Sequence, residues 1–177
     1  MSFVLETERL YLRPFALGDE LALFSVLGDP AAMVYYPRPK TREEVAAWVG
    51  RFRLSFLDRG VGLLAMLLKS TGELIGDCGP LEQEVDGKQE IEVGYHVRHD
   101  LWNLGLATEA ARASIDYAFQ KLKPPRVISL IRPENLASRR VAEKNGLTLE
   151  KVVFWRGYDH CIYELRRIIP NRVHAES

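Results

Sequence analysis

Only two of the 177 residues are cysteine, Cys78 and Cys161. Neither stands in a CxxC or Cys/His cluster, which argues against a zinc ribbon or a disulfide scaffold and predicts two buried thiols and no metal site. Net charge is equally scarce: 24 Lys and Arg balance 24 Asp and Glu. No global field draws the chain to nucleic acid or to an acidic membrane, so any polyanion must be held locally. Long apolar runs are missing too. The longest, Val61 to Leu68, is interrupted by Gly62 and falls far short of the roughly 20 residues that span a bilayer. Met1 to Pro14 lacks the apolar block of a signal peptide. A cytoplasmic protein with neither nucleic acid nor membrane as partner is expected. No repeat, low-complexity run or linker breaks the chain, which predicts one domain over residues 1–170 and a flexible tail at 171–177.

What is present is punctuated periodicity. Residues 8–15, "ERLYLRPF", alternate apolar and polar side chains until Pro14 stops them, as a half-buried strand does. Leu17, Leu21, Phe24 and Leu27 recur at helical spacing. "TREE" at 41–44 offers a capping box for a second helix with Val45, Trp48, Val49, Phe52 and Phe56 turned inward. Residues 62–69, 73–79 and 89–97 follow as strands two to four of an antiparallel meander, with Asp86-Gly87 as a hairpin turn. A helix after Gly105, a strand at 126–131, a helix from about Leu136 to Asn145 and two strands near 148–155 and 160–167 complete the chain. The order β-α-α-β-β-β-α-β-α-β-β predicts an α/β (α+β) fold: a mixed, mostly antiparallel seven-stranded sheet with four helices, containing one βαβ crossover.

The crossover helix has a particular beginning, "WNLGLATEA" at 102–110. The first turn of a helix carries unpaired N–H groups and partial positive charge, and it holds a phosphate where the backbone can be approached closely. Gly105 and Ala107 permit that approach and Thr108 adds a hydroxyl. Small residues also suit a helix packed tightly on a sheet, and spacing alone does not choose between the two uses. No lysine follows Gly105 as a P-loop requires.

That stretch, with "IEVGYHV" (91–97) before it and "RPENLASRRVAEKNGL" (132–147) after it, resembles the signature of the GCN5-related N-acetyltransferases (GNAT), in particular their RimJ/RimL-like branch. The likeness runs from "TERLYLRPF" to "DHCIYELRR". It implies acetyl-CoA as cofactor, bound where the fourth and fifth strands splay apart, with the diphosphate on the loop Trp102, Asn103, Leu104, Gly105, Leu106, Ala107 and on Thr108. The backbone of Tyr95, His96 and Val97 would bond the pantetheine arm. Asn103 and Leu104 depart from the branch's usual glycine and basic or polar residue. Arg98, His99, Arg139, Arg140 and Lys144 are further candidates to offset the phosphate charge. Many relatives place a tyrosine seven residues after the helix-opening asparagine; here that position is Ala142. Ser138 of the "NxxS" form is therefore the candidate partner of the thiol, beside Asn135, itself also an N-cap.

The chemistry needs a neutral amine, a stabilised oxyanion and a thiol that leaves readily as thiolate. Alternation puts Glu90, Glu92, Gly94 and His96 on one face of the fourth strand, and Glu92, where the branch often has a glutamate, is the candidate base. A solvated strand face is the competing reading. Asp77, unexpected in an apolar strand, is a candidate for binding the cationic amine or else a satisfied buried carboxylate. His96 and His160 have no partner near in sequence. Tyr35, Tyr36, Trp155 and Tyr158 are expected to wall the acceptor side. The resemblance favours a protein or peptide amino terminus over a small-molecule amine. A non-catalytic acyl-CoA sensor, and either a monomer or a homodimer, also fit the sequence.

Overall fold

The computed structural model describes residues 4–168; the tail expected at 171–177 lies outside them. In chain order the elements are β1 (Leu5–Glu6), β2 (Leu10–Arg13), α1 (Asp19–Leu27), α2 (Arg42–Arg59), β3 (Leu64–Leu68), β4 (Leu74–Val85), β5 (Lys88–Val97), α3 (Leu106–Tyr117), β6 (Arg126–Ile131), α4 (Leu136–Lys144), β7 (Thr148–Trp155) and β8 (Tyr158–Arg166). The strands form one sheet in the order β1-β2-β3-β4-β5-β6-β8-β7. Its pairings are antiparallel except β5–β6, the crossover that contains α3.

The expected order holds, with an eighth strand in place of seven. β1 pairs Leu5 with Leu12 and Glu6 with Tyr11, and two residues are too few to show alternation in sequence. The third expected strand runs on to Val85 instead of stopping at 79. Leu17 precedes the first helix and Leu21 lies on its outer face: they are 87% and 70% exposed. Asp19 starts α1 and accepts two hydrogen bonds from Arg13, at 2.6 and 2.9 Å. The helix is thereby phased so that Leu23, Val26 and Leu27 turn inward. Elsewhere local signals and structure agree. The Thr41/Glu44 capping box is formed, and Asp86 and Gly87 both have positive φ (51° and 70°), as a two-residue primed hairpin turn requires.

Two apolar layers flank the sheet. α3 and the end of α4 cover one, with Leu12, Met66, Val93, Val97, Leu106, Ala110 and Ala142 in contact. α1 and α2 cover the other, through Phe15, Leu23, Val26, Val49, Phe52 and Leu63. Cys78 and Cys161 are both buried free thiols, and burial pushes the Cys78 thiol up to about 12.

The parallel β5–β6 pairing registers at a single pair, Glu92 opposite Ile128. Beyond it the ladder opens, and side chains take over the backbone groups it leaves. Ser129 Oγ donates to the Val93 carbonyl at 2.9 Å, and the Leu130 N–H points at the Glu92 carboxylate at 3.4 Å. The other end is pinned by charge. Arg126 of β6 donates to Glu90 of β5 and Glu164 of β8 at 2.6 Å each and to Glu150 of β7 at 2.9 Å. The Glu90 bond above all holds its guanidinium protonated.

Arg126→Ala leaves three carboxylates without their shared cation. We expect a loss of about 2 kcal/mol, below the range for a fully buried pair because 14% of the Arg126 side chain stays exposed. Urea unfolding should show a lower midpoint at unchanged slope, with the deficit shrinking as pH falls into the carboxylate range.

Candidate active site

α3 opens differently from its neighbours. Thr41 caps α2 and the Asn135 side chain caps α4 by accepting from Ser138 N–H at 3.0 Å. Gly105 precedes α3 at φ 80° with no side-chain cap. The first-turn N–H groups of α3 therefore keep their hydrogen-bonding capacity for another partner. A Cβ on Gly105 would come no closer than 3.5 Å to its surroundings, so backbone conformation, rather than space, requires glycine. Asn103 also has positive φ, 63°. Asparagine adopts that conformation more readily than other non-glycine residues, so the departure from glycine keeps the turn.

Leu106 is buried in the core, leaving its N–H as its only polar offering to the loop's outer side, while Leu104 is 55% exposed. Ala107 and Thr108 are half-buried. Trp102 donates its indole N–H to the Val97 carbonyl at 2.8 Å, tying the loop to the end of β5. Val97 is consequently no free strand edge: its side chain is in the core and its carbonyl already accepts one bond.

Arg9, read as an ordinary strand residue, lies against this turn. It donates to the Leu104 carbonyl at 2.8 Å and to Glu109 at 2.7 Å. Of the other cations, Arg98 is paired with Asp100, and Arg139 bonds the Tyr163 hydroxyl and the Pro133 carbonyl. Lys144 lines an open groove outside α3 together with Gly105 and Thr108.

At the splay lies a cavity of about 320 Å³, lined from both faces of the sheet. Tyr35, Tyr36, Glu92, Tyr95, His96, Asn135, Ser138, Trp155 and Tyr158, scattered over the sequence, all reach it. Glu92 is no solvated face residue. It accepts from Gln83 Nε2 at 2.9 Å, and burial raises its carboxyl above the usual range against the pull of that bond. Ser138 is held at both backbone ends, its N–H on Asn135 and its carbonyl taking the Tyr95 hydroxyl at 3.0 Å.

Asp77 is corrected as an amine-binding residue. It is fully buried behind the cavity wall, and both carboxylate oxygens are committed, Oδ1 to His96 Nδ1 at 2.7 Å and Oδ2 to Trp48 Nε1 at 2.9 Å. His96, left without a partner by the sequence, also meets the Tyr36 hydroxyl through Nε2 at 2.8 Å. One signal could have found the pair. The two-residue turn at Asp86-Gly87 sets the hairpin register, and counting outward nine residues on each side puts Asp77 opposite His96. Trp48, expected in the core, and Gln83 and Arg132 are lining residues that sequence reasoning did not place there; Lys40, Arg156 and His160 line it too, beside the aromatic residues expected to wall the acceptor side.

A family model described as the acetyltransferase (GNAT) domain matches residues 9–148. The chain belongs to the GNAT acetyltransferase family. It is 37% identical over 150 residues to the uncharacterized protein YkkB of Bacillus subtilis, covering 84% of this chain and 87% of that one. An acetyltransferase structure from Agrobacterium tumefaciens superposes with a TM-score of 0.79 at 29% identity, over 94% and 95% of the two chains. A RimL ribosomal alpha-N-protein acetyltransferase in complex with coenzyme A shares the fold at a TM-score of 0.73 and 19% identity, over 93% of this chain and 98% of that one. GNAT proteins use acetyl-CoA, and this one is an acetyl-CoA-dependent N-acetyltransferase. The uncapped α3 terminus and its left-handed approach fit a diphosphate, and the splay leads from that side of the sheet toward the cavity. Among the described residues no helix is long and apolar enough to cross a membrane.

Gly105→Val forces a β-branched residue into the left-handed region at the phosphate's approach, and calorimetry should find acetyl-CoA binding abolished with the fold kept. Gly105→Asn, which tolerates that φ, should recover most of the affinity. Equal affinity for all three proteins would move the cofactor away from this helix.

Proposed function

We propose that this protein acetylates the α-amine of a protein or peptide amino terminus, as a RimJ/RimL-like member of its family, by direct attack on acetyl-CoA in a ternary complex. The observation that carries the reading is the position of Glu92. A desolvated carboxylate with its acidity lowered lies at the point where β5 and β6 part, in a cavity walled by Tyr36, Trp155 and Tyr158. The diphosphate sits on the first-turn amides of α3, with Trp102 to Thr108 shaping the approach and Arg9 supplying nearby charge. The pantetheine arm passes along Tyr95 and His96, with Val97 offering its remaining carbonyl lone pair, and brings the thioester to the splay.

The acceptor enters from the aromatic side. Glu92 takes the proton that frees the amine's lone pair, and a carboxyl raised by burial is a better base than an ordinary one. Asn135 holds the first turn of α4 so that Ser138 offers its hydroxyl to the departing sulfur. A thiolate needs only modest help, so this contribution is small.

Acceptor chemistry supports the α-amine. Near neutral pH about a tenth of a peptide α-amine with pKa near 8 is already neutral, whereas a lysine-type amine near 10.4 is almost wholly protonated. One carboxylate base suits the former. A small-molecule amine is the second reading, favoured by the enclosed aromatic lining, which suits a compact rigid acceptor.

An acceptor screen by mass spectrometry, with thiol release as readout, tests the proposal. Peptides with free amino termini should turn over and their N-terminally blocked forms should not. Turnover restricted to small amines would support the second reading, and binding without thiol release from any amine would leave a sensor. With a working acceptor, Ser138→Ala should lower kcat about tenfold, some 1.4 kcal/mol, at unchanged acetyl-CoA affinity. Asn135→Ala should weaken both. Glu92→Gln should cost one to two orders of magnitude in kcat/KM at pH 7, and the deficit should close as pH rises and the amine deprotonates unaided.

A further inference from the structure

Acetyl transfer to a protonated amine releases two protons. The first must leave before the nitrogen lone pair can attack. The second leaves the positively charged nitrogen of the tetrahedral intermediate, as the new C–N bond is kept and the C–S bond breaks. Glu92 holds one proton at a time, so the second goes either to the departing thiolate or to another acceptor within the same cavity.

We propose that Tyr36, His96 and Asp77 form a relay that accepts this second proton, with the Tyr36 hydroxyl touching the amine nitrogen. The inference rests on the acetyltransferase reading above and adds to it a coupling among three residues that the sequence named only singly and for other roles. Three different elements build the relay: the segment before α2 brings Tyr36, β5 brings His96 and β4 brings Asp77. Tyr36 Oη lies 2.8 Å from His96 Nε2, and His96 Nδ1 lies 2.7 Å from Asp77 Oδ1. Trp48 holds the other Asp77 oxygen from α2 at 2.9 Å.

The donors can be assigned from chemistry. An ionised carboxylate only accepts, so Nδ1 carries the hydrogen bonded to Asp77. Nε2 is then the lone-pair nitrogen, and the Tyr36 hydroxyl donates to it. The ring of Tyr36 is 44% exposed as a residue, yet its hydroxyl turns inward to a His96 side chain only 9% exposed and an Asp77 side chain fully buried. Burial, then the negative charges of Glu92 and Asp77, hold the Tyr36 phenol well above its ordinary range, so it passes a proton on without becoming an anion.

In the step itself, the intermediate's N–H proton moves to Tyr36 Oη while the Tyr36 hydroxyl proton moves to His96 Nε2. The C–S electron pair departs with the sulfur as thiolate. The imidazolium keeps its Nδ1–H on Asp77, whose carboxylate balances the charge, and returns its extra proton to water through the cavity mouth once the products leave. Tyr36 ends the step neutral. Asp77 acts through His96 and is a positioning residue. The titratable and charged groups around the imidazole are Asp77 from β4, Tyr36 and Lys40 from the segment before α2, and Glu92 from the same strand. Trp48 of α2 faces it edge-on at 5.8 Å, with the Lys40 ammonium 4.6 Å from the Trp48 ring centre.

The full-length protein, acetyl-CoA and the amine panel above test the relay, with Tyr36→Phe, His96→Gln, Asp77→Asn and Glu92→Gln compared across pH. Parent turnover establishes the underlying activity. Tyr36→Phe and His96→Gln should then lower kcat by about 10²-fold with acetyl-CoA affinity unchanged. Their deficit should persist at pH values where the acceptor is already neutral, whereas the Glu92→Gln deficit closes there. Asp77→Asn should follow His96→Gln. Rates equal to the parent's, or a loss confined to KM or to thermal stability, would overturn the relay and leave the acetyltransferase reading standing; a parent that releases no thiol with any amine would overturn both. Nitrogen-15 NMR of labelled histidine gives a readout without turnover. The neutral His96 ring should be the Nδ1–H tautomer, and an Nε2–H tautomer would overturn the assignment.

Discussion

The incomplete ladder between β5 and β6 is the constraint on which the rest of the molecule depends. Parallel strands brought together by a crossover helix ordinarily bond along their length. Here one registered pair, Glu92 with Ile128, is followed by a gap in which the Ser129 hydroxyl bonds a strand carbonyl and the Glu92 carboxylate faces a strand N–H. The gap carries a cost, since every backbone group it frees must find another partner. Arg126, shared by carboxylates from β5, β7 and β8, keeps the strands together at the end where they must not part.

From that gap follows the division of labour across the sheet. The α3 side supplies a helix terminus without a cap, shaped by two left-handed residues, where an anion is stabilised by dipole and by open N–H groups. The α1/α2 side supplies aromatic walls and titratable groups. Glu92 lies there half-buried, at the one registered pair before the strands part, with its carboxylate accepting from Gln83. Its raised pKa, and hence its strength as a base, follows from burial in that setting.

Much of the fold was legible in local chemistry. Thr41 with Glu44, the Asp86-Gly87 turn, Asn135 as an N-cap and Gly105 before α3 all act within a few residues, and the structure has each in the conformation its residue type favours. The failures have one origin. Leu17 and Leu21 match a helical stripe, but the phase of α1 is set by Arg13 gripping Asp19, a contact invisible to periodicity. β1 exists only because β2 lends it hydrogen bonds.

The site divides in the same way. By itself the sequence determined that a helix with an open, glycine-led terminus follows a strand, and that Glu92 and His96 share a strand face. Those features depend on backbone conformation and on the two-residue repeat of a strand. Only the tertiary structure decided that Glu92 is desolvated, that Asp77 is locked behind His96 and Trp48, that Tyr36 reaches His96, and that Arg9 lies beside Gly105. Each depends on groups 19 to 96 residues apart in the chain meeting at distances of a few ångströms. Burial and hydrogen-bond partnership are properties of that meeting, set by how the layers pack around the splay, and no residue carries them in its own identity.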